Sequence, residues 1–153
     1  SDARRAEERR SLIKTIDVET MIVFAPRNGT RAVVNVFTDV DCVFCRKFHQ
    51  NMPGINELGI EVRYIGYPRA GIGSASYKNI VSAWCADNPR EALTQLKLGK
   101  KIPSKICDNA IEQHFELGQI AGVDGTPTLV TEEGEIILGY LSAAELASRL
   151  GLL

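Results

Sequence analysis

The apolar run Ala32-Val33-Val34-Asn35-Val36-Phe37, followed closely by Cys42-Val43-Phe44-Cys45, limits what this chain can fold into more than any other feature. The run is short and rich in β-branched residues. It suits a strand buried on both faces, and such strands sit in sheets covered by helices. Thr38 to Asp41 reads as a short connection, with Asp41 expected to cap a helix that opens at Cys42. That helix is expected to run to about Asn51, where Pro53-Gly54 ends it. The cysteine pair therefore falls where a strand ends and a helix begins. A helix N-terminus favours negative charge, so the first sulfur is biased toward thiolate, the form that attacks disulfides. Cys42, in the first turn, is the expected attacking thiol. Cys45, one turn deeper on the core side, is the expected resolving thiol. Residues 31–37 hold no carboxylate to sit buried behind Cys45.

The rest of the chain supplies further strands and helices around this unit. Met21-Phe24 reads as a strand, and Asn28-Gly29 is a strong hairpin signal between it and the run at 31–37. Ile60 to Ile65 alternates like a strand. Tyr77, Ile80, Val81, Trp84 and Cys85 recur at helical spacing, with Trp84 expected in the core. Asn88-Pro89 suits the cap and first position of another helix, which Gly99 ends. Asp108 is expected to cap the next, with Ile111, Phe115 and Ile120 inward and His114 on the outer face. Leu129-Thr131 and Glu135-Leu138 read as a hairpin about Glu133-Gly134, and Ser142-Ala143-Ala144-Glu145 is a capping box for a final helix. His49 is expected on the surface. The charge-dense segment 2–14 reads as a solvated helix or linker that projects from the domain. The order of strands and helices describes an α/β sheet of about five strands with a helical insertion.

Size and charge narrow the function classes. At 153 residues the chain suits one domain with one core, and a net charge of −1 argues against a nucleic-acid partner. No apolar stretch reaches the roughly 20 residues needed to cross a bilayer. Ser1 to Arg10 is charged, so it is no signal peptide. Four cysteines permit three disulfide connectivities. Local spacing favours Cys42 with Cys45, leaving Cys85 and Cys107 to close a loop of roughly 20 residues, a stabilisation of about 3 kcal/mol. Such a bridge points to an oxidising compartment. A zinc site using all four sulfurs and a purely structural first pair are the competing readings of Cys-x-x-Cys. Gly125-Thr126-Pro127-Thr128 precedes a strand, where proline has no N–H for the ladder. Pro127 at the strand's first residue, with a cis Thr126-Pro127 bond, resolves that conflict. A trans proline in a surface turn is the alternative.

Together these segments resemble the thioredoxin superfamily, and within it the DsbC-type periplasmic disulfide isomerases. The resemblance runs from about Met21 to Leu150. It is carried by Val36–His49, Leu58–Tyr64, Pro68–Gly71, Ala83–Ala86, Ser104–Asp108 and Gly122–Pro127. It implies a thioredoxin fold over residues 19–153, with a helical insertion at about 74–121, behind a linker-helix remnant at 1–18. It implies a periplasmic thiol-disulfide oxidoreductase without cofactor or metal, acting on misfolded or disulfide-scrambled proteins and kept reduced by a DsbD-like membrane thiol reductase. By the same resemblance Cys42 is the nucleophile and Cys45 resolves its mixed disulfides. Thr126 and cis Pro127 pack beside the pair, and the Thr126 backbone binds an extended substrate segment. Cys85 and Cys107 form a second, non-catalytic bridge, which favours DsbC-type over DsbG-type enzymes. Phe44 stands where these enzymes usually carry tyrosine, so one hydroxyl is missing. The family carries an N-terminal dimerisation domain. This chain is therefore expected to be a catalytic domain from a longer homodimer, or a natural short form, and to be monomeric by itself. The alternatives are a DsbG-like or thioredoxin-like reductase of oxidised cysteines and a redox-inert, chaperone-like binding module.

Overall fold

A computed structural model describes residues 1–153, and in it the run at 32–38 becomes the middle strand of a five-stranded mixed sheet. In chain order the elements are α1 (Asp2–Lys14), a single 3-10 turn (Val18–Thr20), β1 (Ile22–Phe24), β2 (Ala32–Thr38), α2 (Val43–Gln50), α3 (Met52–Glu57) and β3 (Ile60–Gly66). Then follow α4 (Ala75–Trp84), α5 (Pro89–Lys97), α6 (Ile111–Ile120), β4 (Thr128–Thr131), β5 (Ile136–Leu138) and α7 (Ala143–Arg149). The strand order is β1-β3-β2-β4-β5. β2 and β3 run parallel, and every other pairing is antiparallel. In register, Val36 of β2 lies between Tyr64 of β3 and Leu129 of β4.

Alternation along β2 explains why both its faces are apolar. Val34 and Val36 point into the larger core, with Phe48 and Ile55 from the helices after the cysteines and Ile80, Leu93 and Leu146 from later ones. Phe37 points into a smaller core with Ile13, Ile16, Ile65, Tyr67 and Val130. The expected fold class holds, with α4, α5 and α6 between β3 and β4 forming the helical insertion. No helix is long and apolar enough to cross a membrane.

Several local expectations give way to tertiary packing. Gly29 does turn with a positive φ of 97°, but β1 and β2 do not form a hairpin, because β3 lies between them. The helix after the cysteines ends at Asn51 as expected, but Pro53-Gly54 is not a break into a loop, because α3 follows at once. Pro53 instead occupies the opening turn of α3, where its missing N–H leaves no bond unmade. Asn109, not Asp108, serves α6, accepting from the Ile111 N–H at 3.0 Å. Ile111 faces inward as expected, whereas Ile120 is exposed at the helix end. Trp84 is half-buried against the larger core and donates its indole N–H to the Thr20 carbonyl at 2.8 Å. Segment 2–14 is helical but does not simply project. Arg9 Nε donates to the Gly134 carbonyl at 2.8 Å, and Ile13 enters the smaller core. Gly134, at φ 85° in the β4–β5 turn, has no room for a Cβ against the Ala6 carbonyl. The caps at Asn88 and Ser142 form as the sequence indicates, the latter as a full capping box.

Candidate active site

The central strand delivers the cysteine pair to the end of the sheet where β2 finishes. β2 ends at Thr38, and Asp39 follows with 1% exposure. Its carboxylate accepts from the Val40 N–H at 2.8 Å and from the Arg69 N–H and Nε at 2.9 and 3.0 Å. Arg69 extends its other arm to Asp41 at 2.9 Å. Asp41 is thus held by Arg69 and does not cap α2. Cys42 is itself the N-cap: its Sγ accepts from the Cys45 N–H at 3.3 Å. The helix-end amide that a carboxylate was expected to satisfy is satisfied by the sulfur. Cys42 is 3% exposed and Cys45 is fully buried, and the two are not bonded to each other. Between them Val43 and Phe44 point outward, at 63% and 53% exposure.

Thr126 and Pro127 close the site from the far side of β2. The Thr126–Pro127 peptide is cis, and β4 begins at the next residue. Cys42 Sγ lies 3.1 Å from the Thr126 carbonyl, to which its thiol donates. The Thr126 hydroxyl is buried and has no partner while Cys42 is protonated, so it is free to donate to the thiolate. The four residues picked out by the sequence therefore meet at one point. The other two, Cys85 and Cys107, are joined to each other across 22 residues, linking the C-terminal end of α4 to the segment before α6. That bond occupies two of the four sulfurs a zinc site would need.

The surroundings drive the two thiols apart. Cys42 is brought down to about 5, chiefly by the Cys45 thiol donating to it. The Thr126 hydroxyl, the Cys45 N–H and the Arg69 cation assist, and together they outweigh burial, which opposes ionisation. Cys45 moves strongly the other way, because burial and its role as donor to Cys42 both favour its neutral form. One thiol is a ready nucleophile and the other holds its proton.

Two histidines expected at the surface are buried, and a buried lysine has no counterpart among the sequence expectations. His49 is buried, not superficial: its Nδ1 lies 2.8 Å from Tyr64 OH and its Nε2 2.9 Å from Thr94 Oγ1. Burial first, and the Lys97 charge second, hold it down at about 3, so it is neutral at physiological pH. His114 is also buried, not on an outer face. Its Nδ1 accepts from the Gly66 N–H at 3.1 Å, and its Nε2 lies 3.1 Å from Thr20 Oγ1. Lys97 is 3% exposed, donates to Thr38 Oγ1 and places Nζ 4.7 Å from the centre of the Tyr64 ring. Its signal in the sequence was weak but present. Ala92, Leu93, Leu96 and Lys97 share one buried stripe of α5, and the lysine ends that stripe.

The thioredoxin-like domain family matches residues 18–152, nearly the whole of this sheet and its helices. The chain belongs to that family. This thioredoxin-like domain is 40% identical over 129 residues to the thiol:disulfide interchange protein DsbC of Haemophilus influenzae, covering 84% of the chain and 56% of that protein. To DsbC of Escherichia coli K12 it is 35% identical over 134 residues, covering 88% of the chain and 56% of that protein. It thus spans a little over half the length of these relatives. Among solved structures, a disulfide interchange protein from Neisseria gonorrhoeae superposes with a TM-score of 0.77 at 27% identity, covering 89% of the chain and 96% of that structure.

Proposed function

We propose that this thioredoxin-like domain is the catalytic unit of a periplasmic thiol-disulfide oxidoreductase that reduces and isomerises disulfides in secreted proteins through Cys42 and Cys45. One observation carries the reading: a sulfur with a pKa near 5 caps α2 beside a buried thiol that keeps its proton. The similarity to DsbC proteins agrees with it.

The chemistry follows from that asymmetry. The Cys42 thiolate attacks one sulfur of a substrate disulfide. A Cys42–substrate bond forms, the substrate disulfide breaks, and the electron pair leaves on the second substrate sulfur, which takes a proton from water. In isomerisation a different thiolate of the substrate attacks the substrate sulfur bonded to Cys42, a new substrate disulfide forms, the Cys42–substrate bond breaks, and the electron pair returns to Cys42 as thiolate. In reduction Cys45 loses its proton and attacks Cys42, forming the Cys42–Cys45 bond and releasing a reduced substrate. A low thiol pKa also makes Cys42 a good leaving group, which favours the dithiol form of the pair.

Substrate capture is proposed to use the Thr126 backbone, whose N–H makes no backbone hydrogen bond and can add an extended segment as a further strand. Val43, Phe44 and Ile72, the last on the Arg69 loop, offer exposed apolar contact for unfolded chains. The proposed partners are misfolded or disulfide-scrambled proteins and a DsbD-like membrane thiol reductase, with a homodimer as the full-length form. Insulin reduction tests the central reading. Cys42→Ser is expected to abolish it, and Cys45→Ser to accumulate mixed disulfides. Full turnover in the Cys42 variant would end the assignment. The isolated chain is expected to reduce insulin yet to rescue scrambled ribonuclease more slowly than a dimer bearing two such sites. Equal rescue would remove the dimer from the proposal.

A further inference from the structure

We propose that Lys97 is a positioning residue for the resolving step, its buried ammonium making Cys45 able to ionise when it must attack the mixed disulfide. The inference rests on the redox reading above and deepens it.

Geometry carries it. Lys97 reaches from the end of α5 into the space behind the cysteine helix, where Thr38, the last residue of β2, accepts a hydrogen bond from its ammonium and the Tyr64 ring underlies it. Asp39, the buried carboxylate of the site, is bonded to Arg69 and leaves Lys97 without an ion-pair partner. An ammonium held out of water with no carboxylate disfavours folding, and a methionine would fill the same slot. The charge has no bonded counter-ion: Asp39 is held by Arg69, and the other groups in its electrostatic reach that can become anions are the Cys45 and Cys42 sulfurs. The groups acting on Lys97 are Cys45, Cys42 and Asp39, which favour its charged form, and Arg46, which opposes it. His49 and Tyr64 face the same space, both neutral in the physiological range. Burial brings Lys97 down to about 8, and the Cys45 charge is the strongest influence in the other direction. Lys97 also lines a cleft of about 480 Å³ with Phe24, Arg46, His49 and Thr94.

In the mixed disulfide Cys42 carries no charge, so it no longer helps to keep Cys45 protonated. Cys45 releases its proton to water, and the Lys97 ammonium stabilises the thiolate. That thiolate bonds to Cys42 Sγ, the Cys42–substrate bond breaks, and the substrate sulfur leaves with the electron pair and is protonated by solvent. The pair is oxidised and the substrate reduced. Above about pH 8 Lys97 loses its charge and its assistance fades.

Stopped-flow reaction of the reduced protein with one equivalent of 5,5′-dithiobis(2-nitrobenzoate) separates the two sulfurs. The first release of thionitrobenzoate reports attack by Cys42 and the second reports resolution by Cys45. In Lys97→Met the first phase at pH 7 is expected to stay within about twofold, because Cys42 is already ionised there. The second phase is expected to slow about tenfold, with its pH midpoint raised by about one unit. Lys97→Arg is expected to restore most of it. An unchanged second phase in folded Lys97→Met overturns the proposal. Should that variant not fold, the wild-type protein still decides. The lysine 13Cε titration of Lys97 is expected near pH 8 in the dithiol form and lower in the disulfide form, where no thiolate remains. Identical midpoints in both forms overturn the proposal. Absence of both release phases in the wild type would instead sink the redox reading itself.

Discussion

Cys42 shows how far one side chain's role depends on its backbone address. The same thiol in a loop would ionise near about 8.5. At the N-cap of α2 it accepts the Cys45 N–H, and the neighbouring thiol, the Thr126 hydroxyl and Arg69 add to the pull. Iodoacetamide labelling of reduced protein is therefore expected to show a half-point near pH 5 for Cys42, with Cys45 unlabelled across the neutral range. A half-point above pH 8 would refute this electrostatic account. The sequence reading identified the sulfur and the direction of its shift, because a helix end follows from local pattern. It assigned the cap to Asp41, because nothing local reveals that Arg69, 28 residues away, binds that carboxylate. His49 and His114 were misplaced for a related reason. Each satisfies its ring nitrogens with partners from other elements, Tyr64 and Thr94 for one, Gly66 and Thr20 for the other. A histidine so satisfied can be buried where an isolated one would stay in water.

Helices and strands follow the sequence where their signals are local. Ser142 and Glu145 close a reciprocal capping box at α7, and Ser142→Ala is expected to reduce stability by about 1 kcal/mol in urea unfolding. No measurable loss would mean that α7 is held by Leu146 packing alone. Gly118 gives the opposite lesson. Inside an ordinary helix, glycine to alanine adds about 1 kcal/mol of stability. In α6 a Cβ at position 118 meets the Tyr67 ring and the edge of Phe37. Gly118→Ala is accordingly expected to destabilise by about 1–3 kcal/mol, and a rise in stability would show that Tyr67 can move aside. Asn28-Gly29 made its turn, yet β1 found β3 instead of β2. Turn chemistry is local, whereas the choice of strand partner is settled by competition across the whole sheet.

For the molecule as a whole, stability should depend on pH through the two buried histidines. Both ionise lower when folded, at about 3 for His49 and about 4 for His114, than the roughly 6.5 of the unfolded chain. Between those values the unfolded state binds more protons, so this contribution is complete above about pH 6.5 and is lost as pH falls toward 4. Protonating His114 also forfeits the bond its Nδ1 accepts from Gly66. Urea unfolding at pH 4.5 is expected to lie on the order of a few kcal/mol below that at pH 7, with a shallower dependence in His114→Gln. Equal stabilities at the two pH values would contradict neutral burial. Replacing Cys85 and Cys107 together by serine frees a loop whose ends are 22 residues apart and is expected to cost roughly 3 kcal/mol while leaving Cys42 labelling unchanged. A change in that labelling would connect the insertion to the Cys42–Cys45 pair. The amino-acid sequence alone determined the alternation of strands and helices, the two-faced burial of β2, and a cysteine pair at a helix start, because periodicity, turn residues and caps act over a few positions. The tertiary structure alone decided that β3 separates β1 from β2, that Arg69 holds Asp39 and Asp41, and that Lys97 and His49 lie buried near the cysteines. Those outcomes depend on which distant groups can satisfy a charge or a hydrogen bond once water is excluded, and no stretch of neighbouring residues contains that information.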